Sequence, residues 1–182
     1  MIDSKKSYYY YLICDEKANG GSHRPFYIAN EIKKYLKILR KSEYILYKLK
    51  CENRYRNFFL RFYHVLLKYE LHKLGLKLGF GIPENTLGPG VKIDHWGFIA
   101  INSNVKIGKN CHIFGDITIG IKNNEEIGAP EIGDNVTIGA GARIIGPIKI
   151  ASNCVIGANA VVTRSFLEEG TVIGGIPATR IR

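Results

Sequence analysis

An aliphatic residue returns every six positions through the second half of the chain. The series is Ile107, Ile113, Ile119, Ile132, Ile138, Ile144, Ile150, Ile156 and Val162. The next residue is usually small, as in Gly108, Gly133 and Gly157. One such repeat cannot bury its apolar face alone, so stacked coils must share a core. The pattern predicts a parallel β-helix with three hexads in each triangular coil.

One insertion interrupts this repeat. Ile119 and Ile132 are separated by two hexads plus one residue, and the stretch between them is polar and rich in turn-forming residues. We therefore predict a protruding loop at about residues 120–131, a common place for function in a solenoid. Upstream, Gly81-Ile82-Pro83 and Gly88-Pro89-Gly90 indicate turns. They divide the chain into a segment of residues 1–80 and a β-helix domain of residues 81–182.

The front segment has helical periodicity instead. Pro25 stands where a helix would begin, and apolar residues then recur at helical spacing: Ile28, Ile32, Leu36, Leu39, Leu46 and Leu49. A second helix is predicted from about Asn57 to Leu74, with Gly75 and Gly79 as stops. We expect the apolar stripes to pack on each other and on a neighbouring subunit rather than on lipid.

Charge separates the two halves. Residues 1–80 carry 17 Lys and Arg against 7 Asp and Glu, a net of +10, whereas residues 81–182 carry 9 of each. This basic segment would suit a polyanion or an anionic membrane surface, or it is only the solvated face of helices. Motifs for nucleic-acid binding are absent from the sequence, so no nucleic-acid partner is expected.

Location and metal content are constrained by other features of the sequence. No apolar run is long enough to span a membrane, and the N-terminal residues lack the pattern of a signal peptide. Cys111 and Cys154 fall at inward repeat positions and are predicted to be core thiols, which favours a reducing cytoplasm. No His and Cys cluster indicates a metal site, so no metal is expected.

The candidate chemistry begins at Asp94-His95, where the β-helix starts. A hydroxyl is a poor nucleophile until a base removes its proton, and histidine suits this task near neutral pH. Asp94 and His95 are adjacent on an extended segment, so their side chains should point to opposite faces. Asp94 therefore contacts the acceptor from its own side or is structural, rather than simply orienting His95.

These motifs together carry a resemblance to a known family. Ile-Asp-His-x-Gly, the hexads, the loop and the two segments at residues 138–146 and 156–162 resemble hexapeptide-repeat acyltransferases. Within that family the chain is similar to serine O-acetyltransferases and to their relatives that acetylate sugars in surface-polysaccharide pathways. The resemblance covers about half the chain and implies a left-handed β-helix with an N-terminal α-helical segment.

The resemblance also implies a mechanism and a set of site residues. The matching histidine, His95, would be the general base, and acetyl-CoA would lie between adjacent subunits of a homotrimer. The family positions that contact CoA match Ala140, Ala158, Thr163 and Arg164, and Arg182 could also face the CoA phosphates. Ala140 and Ala158 lie one full coil apart, as a ligand along the β-helix axis requires. Pairing of trimers into a dimer of trimers is left open, and Thr163 and Arg164 could equally form an ordinary exposed corner.

Departures from serine acetyltransferases set the expected acceptor. Their Arg-His-Pro motif after the loop corresponds to Gly128-Ala129-Pro130, and the acid that supports their catalytic histidine corresponds to Phe80. Both losses disfavour an amino-acid acceptor. We therefore expect a carbohydrate hydroxyl, in capsular or exopolysaccharide biosynthesis, with Trp96 as a platform for the sugar ring or a cap on the β-helix. Serine is the alternative small-molecule acceptor.

Two other classes remain at this stage. The chain could be a non-catalytic β-helix scaffold or a metal-dependent protein resembling the carbonic-anhydrase-like subunits. Metal sites of that kind need histidines spaced between coils, and His95 and His112 are not spaced one coil apart. His112 is expected to point outward, and His64 and His72 to be surface or packing residues. His23-Arg24 could reach a neighbouring active site.

Overall fold

The computed structural model describes residues 1–20, 26–51, 57–122 and 128–182, with side chains of 26–30 excepted. Its front segment contains the helices α1 (Lys5–Asn19), α2 (Phe26–Cys51) and α3 (Phe58–Leu78). The periodicity predicts α2 and α3 but misses α1, whose tyrosine-rich sequence has no clear apolar stripe. A capping box fixes the start of α1: Ser4 and Ser7 each accept the other's backbone N–H at 3.0 Å. Pro25 and His23-Arg24 lie outside the described residues.

Helix α3 continues one turn beyond its predicted end. Gly75 does not stop the helix; it is buried where α3 meets the first coil, and a Cβ there would lie 2.6 Å from the Phe80 carbonyl oxygen. The helix ends instead at Gly79, which has φ +78° and donates its N–H to the Gly75 carbonyl. Gly75 is therefore needed for close packing, and Gly79 is the cap.

A buried charge cluster attaches the helices to the first coil. The Arg40 side chain is fully buried and donates to Asp15 at 2.8 Å and to the Leu87 carbonyl at 2.8 Å. Asp15 in turn accepts the Gly90 N–H at 2.7 Å, and Glu43 lies 3.1 Å from Arg40. Helices α1 and α2 are thus bonded to backbone groups of the β-helix.

Fourteen short strands follow in the described residues. They are β1 (Phe80–Gly81), β2 (Lys92–Ile93), β3 (Ile99–Ile101), β4 (Lys106–Ile107), β5 (His112–Ile113), β6 (Ile117–Gly120), β7 (Glu131–Ile132), β8 (Thr137–Ile138), β9 (Arg143–Ile145), β10 (Lys149–Ile150), β11 (Val155–Ile156), β12 (Val161–Val162), β13 (Val172–Gly175) and β14 (Ala178–Arg180). They form three sheets. Sheet I has the order β1-β3-β6-β9-β12, sheet II β10-β7-β4, and sheet III β14-β13-β11-β8-β5-β2.

The predicted left-handed parallel β-helix with N-terminal helices is confirmed. Every strand pair is parallel except β13 with β14, and equivalent hexad residues stack across coils. Sheet III, for example, aligns Ile93, Ile113, Ile138, Ile156 and Ile173, all buried. Ile119 of β6 pairs with Ile144 of β9, and the chain between them contains one coil plus the predicted insertion. Residues 123–127 of that insertion lie outside the described residues.

The three corners of the prism are named by the sheets they join. The first corner joins sheet III to sheet I, the second joins I to II, and the third joins II to III. Asparagines stack at the third corner: Asn110, Asn135 and Asn153 have positive φ, and their side chains are hydrogen-bonded at 3.3 and 3.0 Å. Asparagine tolerates this left-handed conformation, so the ladder supports the tight turns that the hexads require.

One hydrophobic core runs through the helices and the coils. Tyr35 of α2 packs edge-on against Phe80 with ring centroids 5.3 Å apart, and its hydroxyl donates to the Ile82 carbonyl at 3.3 Å. Phe80, which matches the family's acidic position, is therefore a core residue. Cys111 and Cys154 are fully buried free thiols, as predicted. The division into units 1–80 and 81–182 stays a prediction.

Candidate active site

The first corner brings His95, Ala140 and Ala158 onto one edge of the β-helix. Backbone hydrogen bonds align Asp94 with Ile113, Phe114 with Ile138, and Gly139 with Ile156, so residues after these positions share the edge. Asn159 donates to the Ala140 carbonyl at 2.8 Å, which continues the same alignment. Along this edge His95 lies two coils from Ala140 and three coils from Ala158, and each coil rises by about 4.8 Å.

A turn between β2 and β3 holds His95 out from the prism. Gly97 adopts φ +135°, and its N–H donates to the Leu78 carbonyl at the end of α3 at 2.8 Å. Below the histidine lies Gly115, where an added Cβ would come 3.6 Å from the His95 Cβ. The exposed imidazole therefore stands on a corner with little side-chain bulk beneath it, accessible to a second molecule.

Asp94 is 5% exposed and has two basic neighbours. Its Oδ1 lies 3.2 Å from Lys92 Nζ, and its Oδ2 is bonded to His112 Nε2. Burial alone would raise the pKa of Asp94, but the hydrogen bonds from His112 and Lys92 outweigh it and place that pKa below its ordinary value. Asp94 is therefore a buried carboxylate that has lysine and histidine partners.

His112 is the site residue that sequence reasoning undervalued. It points outward from β5, as predicted, but its half-buried ring also packs on Phe114 with centroids 4.3 Å apart. His112 follows Asp94 by 18 residues, but the coil here is longer than an ideal coil, because His112 is in register with Lys92. The hexad spacing therefore does not predict the contact between Asp94 and His112.

Trp96 and Phe98 extend the exposed surface beside His95. Both follow Asp94 in the same turn, and Trp96 is 59% exposed. A large exposed ring next to a candidate base is consistent with the predicted platform, since aromatic faces bind flat apolar surfaces of ligands. The alternative role of Trp96, as a cap on the β-helix, stays a prediction.

Thr163 and Arg164 lie on a different edge. They follow β12 and therefore occupy the second corner, which joins sheet I to sheet II. The Arg164 guanidinium lies 5.4 Å from the Phe166 ring centroid. Arg182 stands beside β13, where its carbonyl accepts from Val172 at 2.9 Å. The predicted cofactor residues thus occupy separate parts of one chain, with only Ala140 and Ala158 on the edge of His95.

The geometry of this edge can support proton transfer. An exposed histidine can accept a proton from a hydroxyl held beside it. Ala140 and Ala158 are small and exposed farther along the edge, so an extended ligand could lie close to the backbone there. Within the described ranges, no group of three or more His, Cys, Asp or Glu side chains is arranged to bind a metal ion.

Sequence comparison places the repeats in a known group. The family "Bacterial transferase hexapeptide (six repeats)" matches residues 129–164. Serine acetyltransferases of Staphylococcus aureus and Staphylococcus epidermidis are each 42% identical to this chain over 93 residues. That alignment covers 50% of the chain and 44% of each relative, so the chain spans less than half the length of the curated relatives it matches.

Solved structures extend the likeness to the helices. The serine acetyltransferase of Brucella abortus has a TM-score of 0.75 at 21% identity, covering 97% of this chain and 70% of that one. The Neisseria gonorrhoeae enzyme gives 0.74 at 25% identity, covering 98% and 68%. The predicted resemblance is therefore confirmed: this is a hexapeptide-repeat chain similar to serine O-acetyltransferases.

Proposed function

We propose that this chain is an acetyl-CoA-dependent O-acetyltransferase with His95 as its general base. The observation that carries the proposal is the shared edge: an exposed histidine stands in line with Ala140 and Ala158, on the corner that aligns successive coils. One similar structure, the Brucella abortus serine acetyltransferase, was solved in complex with coenzyme A. The transferase description of the hexapeptide family supports the same reaction class.

In the proposed reaction His95 removes the proton from the acceptor hydroxyl. The oxygen attacks the thioester carbonyl of acetyl-CoA, and the carbon–sulfur bond breaks to release CoA thiol, which recovers the proton from His95. Backbone N–H groups of the edge stabilise the oxyanion that forms during attack. The exposed Ala140 and Ala158 border the pantetheine arm, and Thr163, Arg164 and Arg182 meet the nucleotide end.

The two candidate acceptors have different support. The named relatives and similar structures are serine acetyltransferases, and one structure contains serine, so L-serine is the better-supported acceptor. The site residues favour a carbohydrate: Phe80 is a core residue and Lys92 and His112 engage Asp94. A carboxylate bonded to two basic groups is poorly placed to bind the ammonium of an amino acid. The polysaccharide role therefore stays a second candidate.

Assembly and location are part of this proposal. Thr163 and Arg164 lie on a different corner from His95, so a single chain does not line one CoA site with all the predicted residues. A homotrimer would bring corners of adjacent chains together and resolve this separation. The dimer of trimers, the contact of the basic segment with a membrane surface and the cytoplasmic location stay predictions.

The test is release of CoA thiol from acetyl-CoA, followed with a thiol-reactive dye in the presence of L-serine, oligosaccharides or no acceptor. His95→Gln should lower acceptor-dependent release by about 10²–10⁴-fold while acetyl-CoA still binds. His72→Gln, at an exposed position of α3, is the matched control and should keep wild-type turnover. Near-normal turnover by His95→Gln would refute the proposed base, and serine-dependent release would reject the carbohydrate candidate.

A further inference from the structure

Helix α3 is apolar on two opposite faces. One face is buried through Leu67, Leu71 and Leu78 against the rest of the protein. The opposite face is exposed and carries seven large apolar side chains: Phe58, Phe59, Phe62, Val65, Leu66, Tyr69 and Leu76. These residues recur at helical spacing, so they form one stripe, named here the α3 stripe. A helix that is apolar all round is normally covered on both sides, and a large exposed apolar patch indicates an interaction surface.

Cations border the α3 stripe. Arg61, Lys68, Lys73 and Lys77 are all exposed on the same helix, and Lys77 pairs with Glu31 of α2. The only acid in the α3 sequence, Glu70, is paired with Lys34 of α2 at 3.3 Å. The stripe is therefore an aromatic, apolar surface with a positive margin, the composition of helices that lie at a membrane interface.

A basic groove adjoins the stripe. It lies between α1 and α2, has a volume of about 830 Å³, and is floored by apolar side chains that include Leu12 and Ile38. Its lysines are Lys17, Lys33, Lys34, Lys37 and Lys41, and Glu16 of the same lining pairs with Lys33 and Lys37. Five lysines against one carboxylate leave the groove with a net positive charge. Two of these also reach α3: Lys34 pairs with Glu70, and Lys41 lies 5.2 Å from the Tyr63 ring centroid. These two contacts link the lysines of the groove to α3, the helix that carries the stripe.

We infer that the α3 stripe and the basic groove together dock the protein on an anionic membrane. The α3 stripe would enter the boundary between headgroups and acyl chains, and the groove lysines would face lipid phosphates. This inference departs from the expectation that the apolar stripes pack on a neighbouring subunit rather than on lipid. A second copy of the chain fits the exposed stripe less well, because residues 1–80 carry a net charge of +10 and two such segments would repel each other. None of the described helices is long and apolar enough to cross a bilayer. Docking is therefore peripheral, and it does not depend on the acetyl-transfer reaction.

The experiment is cosedimentation of the full chain with two kinds of vesicle, one of phosphatidylcholine alone and one of phosphatidylcholine mixed with phosphatidylglycerol. The wild type should bind only the mixed vesicles, and binding should weaken as salt screens the lysines. Binding to neither kind would refute the inference. Equal binding to both kinds would refute the role of the positive margin.

Two sets of variants separate lipid from protein partners. Phe58→Ser, Phe59→Ser and Phe62→Ser, combined, should lower partition to mixed vesicles at least about tenfold, because each ring removed loses buried apolar area. The matched control combines Leu167→Ser and Ile181→Ser, which are exposed apolar positions of the β-helix, and should partition like the wild type. Light scattering on each variant gives its oligomeric mass.

The remaining outcomes are also decisive. An unchanged oligomeric mass with lost vesicle binding supports the inference. A lower mass for the phenylalanine variant would show that the stripe is covered by another copy of the chain, and would overturn it. Wild-type vesicle binding by the phenylalanine variant would overturn it as well. Because these exposed side chains contribute little to the core, the variant should keep the wild-type circular dichroism spectrum.

Discussion

Asp94 gives the site its most specific residue-scale prediction. Its pKa is lowered because hydrogen bonds from His112 and Lys92 outweigh its burial. A lowered folded-state pKa means that the stabilisation is complete above the ordinary value of 3.8 and is lost as pH falls through the folded-state pKa. Asp94→Asn should therefore lower the free energy of unfolding by about 1–3 kcal/mol near neutral pH, because it leaves buried partners less well satisfied.

Urea unfolding at several pH values checks this expectation. The difference in free energy of unfolding between the wild type and Asp94→Asn should become smaller as pH falls from about 5 toward the folded-state pKa of the carboxyl. Asp116→Asn is the matched control: Asp116 is exposed and paired with Arg143 at 3.1 Å, so its loss should change stability by less than about 1 kcal/mol. A difference that stayed constant with pH would contradict the assigned cause of the shift.

The thiols provide a second prediction at the residue scale. Burial raises the pKa of Cys111 to about 11, so very little thiolate forms at neutral pH. Iodoacetamide should therefore label exposed Cys51 quickly and leave Cys111 and fully buried Cys154 unlabelled in the folded protein. Peptide mass spectrometry after brief labelling measures this. Rapid native labelling of Cys111 would contradict its place in the core.

At the residue scale, sequence reasoning found candidates but not their contacts. His95, Ala140 and Ala158 follow from motif and coil length, and the structure aligns them on one edge. The hexad pattern does not predict the Asp94–His112 bond, because the coil between them is irregular: Lys92, not Asp94, is the register partner of His112. An assumed coil length of 18 residues predicts which residues stack in register. It does not predict which outward side chains meet where the turn of a coil is longer than usual.

At the element scale, the attachment of the helices depends on Arg40. Its guanidinium is fully buried between Asp15 and Glu43, so Arg40→Met leaves two buried carboxylates without their cation. The free energy of unfolding should fall by about 3–5 kcal/mol. Lys37→Met, which removes an exposed ion pair with Glu16, is the control and should cost less than about 1 kcal/mol. Equal losses in urea denaturation would show that the buried cluster has no special role.

Periodicity explains why some elements were predicted and others were not. The hexads of sheet III and the stripe of α2 repeat with a fixed period, so pattern alone identifies them. Helix α1 begins at a Ser4–Ser7 cap, and its buried residues are Tyr11 and Asp15. Because these residues do not form an apolar stripe, periodicity does not predict the helix. The sequence predicts Gly75 as a stop, because its actual role, close approach to Phe80, depends on a tertiary contact that sequence does not show.

At the scale of the whole molecule, one continuous core should make the helices and the β-helix unfold together. Tyr35 contacts both Phe80 and Ile82, and the end of α3 is hydrogen-bonded to the turn that holds His95. Far-ultraviolet circular dichroism reports mainly on α1–α3, and fluorescence of Trp96, the single tryptophan, reports on the first corner. Their urea midpoints should coincide, as expected for a two-state transition.

Tyr35→Leu tests whether the shared core causes this coupling. The substitution removes the hydroxyl bond to Ile82 and part of the contact with Phe80, so both midpoints should move to lower urea by the same amount. Tyr9→Leu, an exposed position on α1, is the control and should leave both midpoints in place. Separate midpoints in the wild type would instead favour the predicted division at residues 80 and 81 as two independently folding units. Solenoids permit such an outcome because each coil contacts only its neighbours, which is why coincident midpoints would be informative.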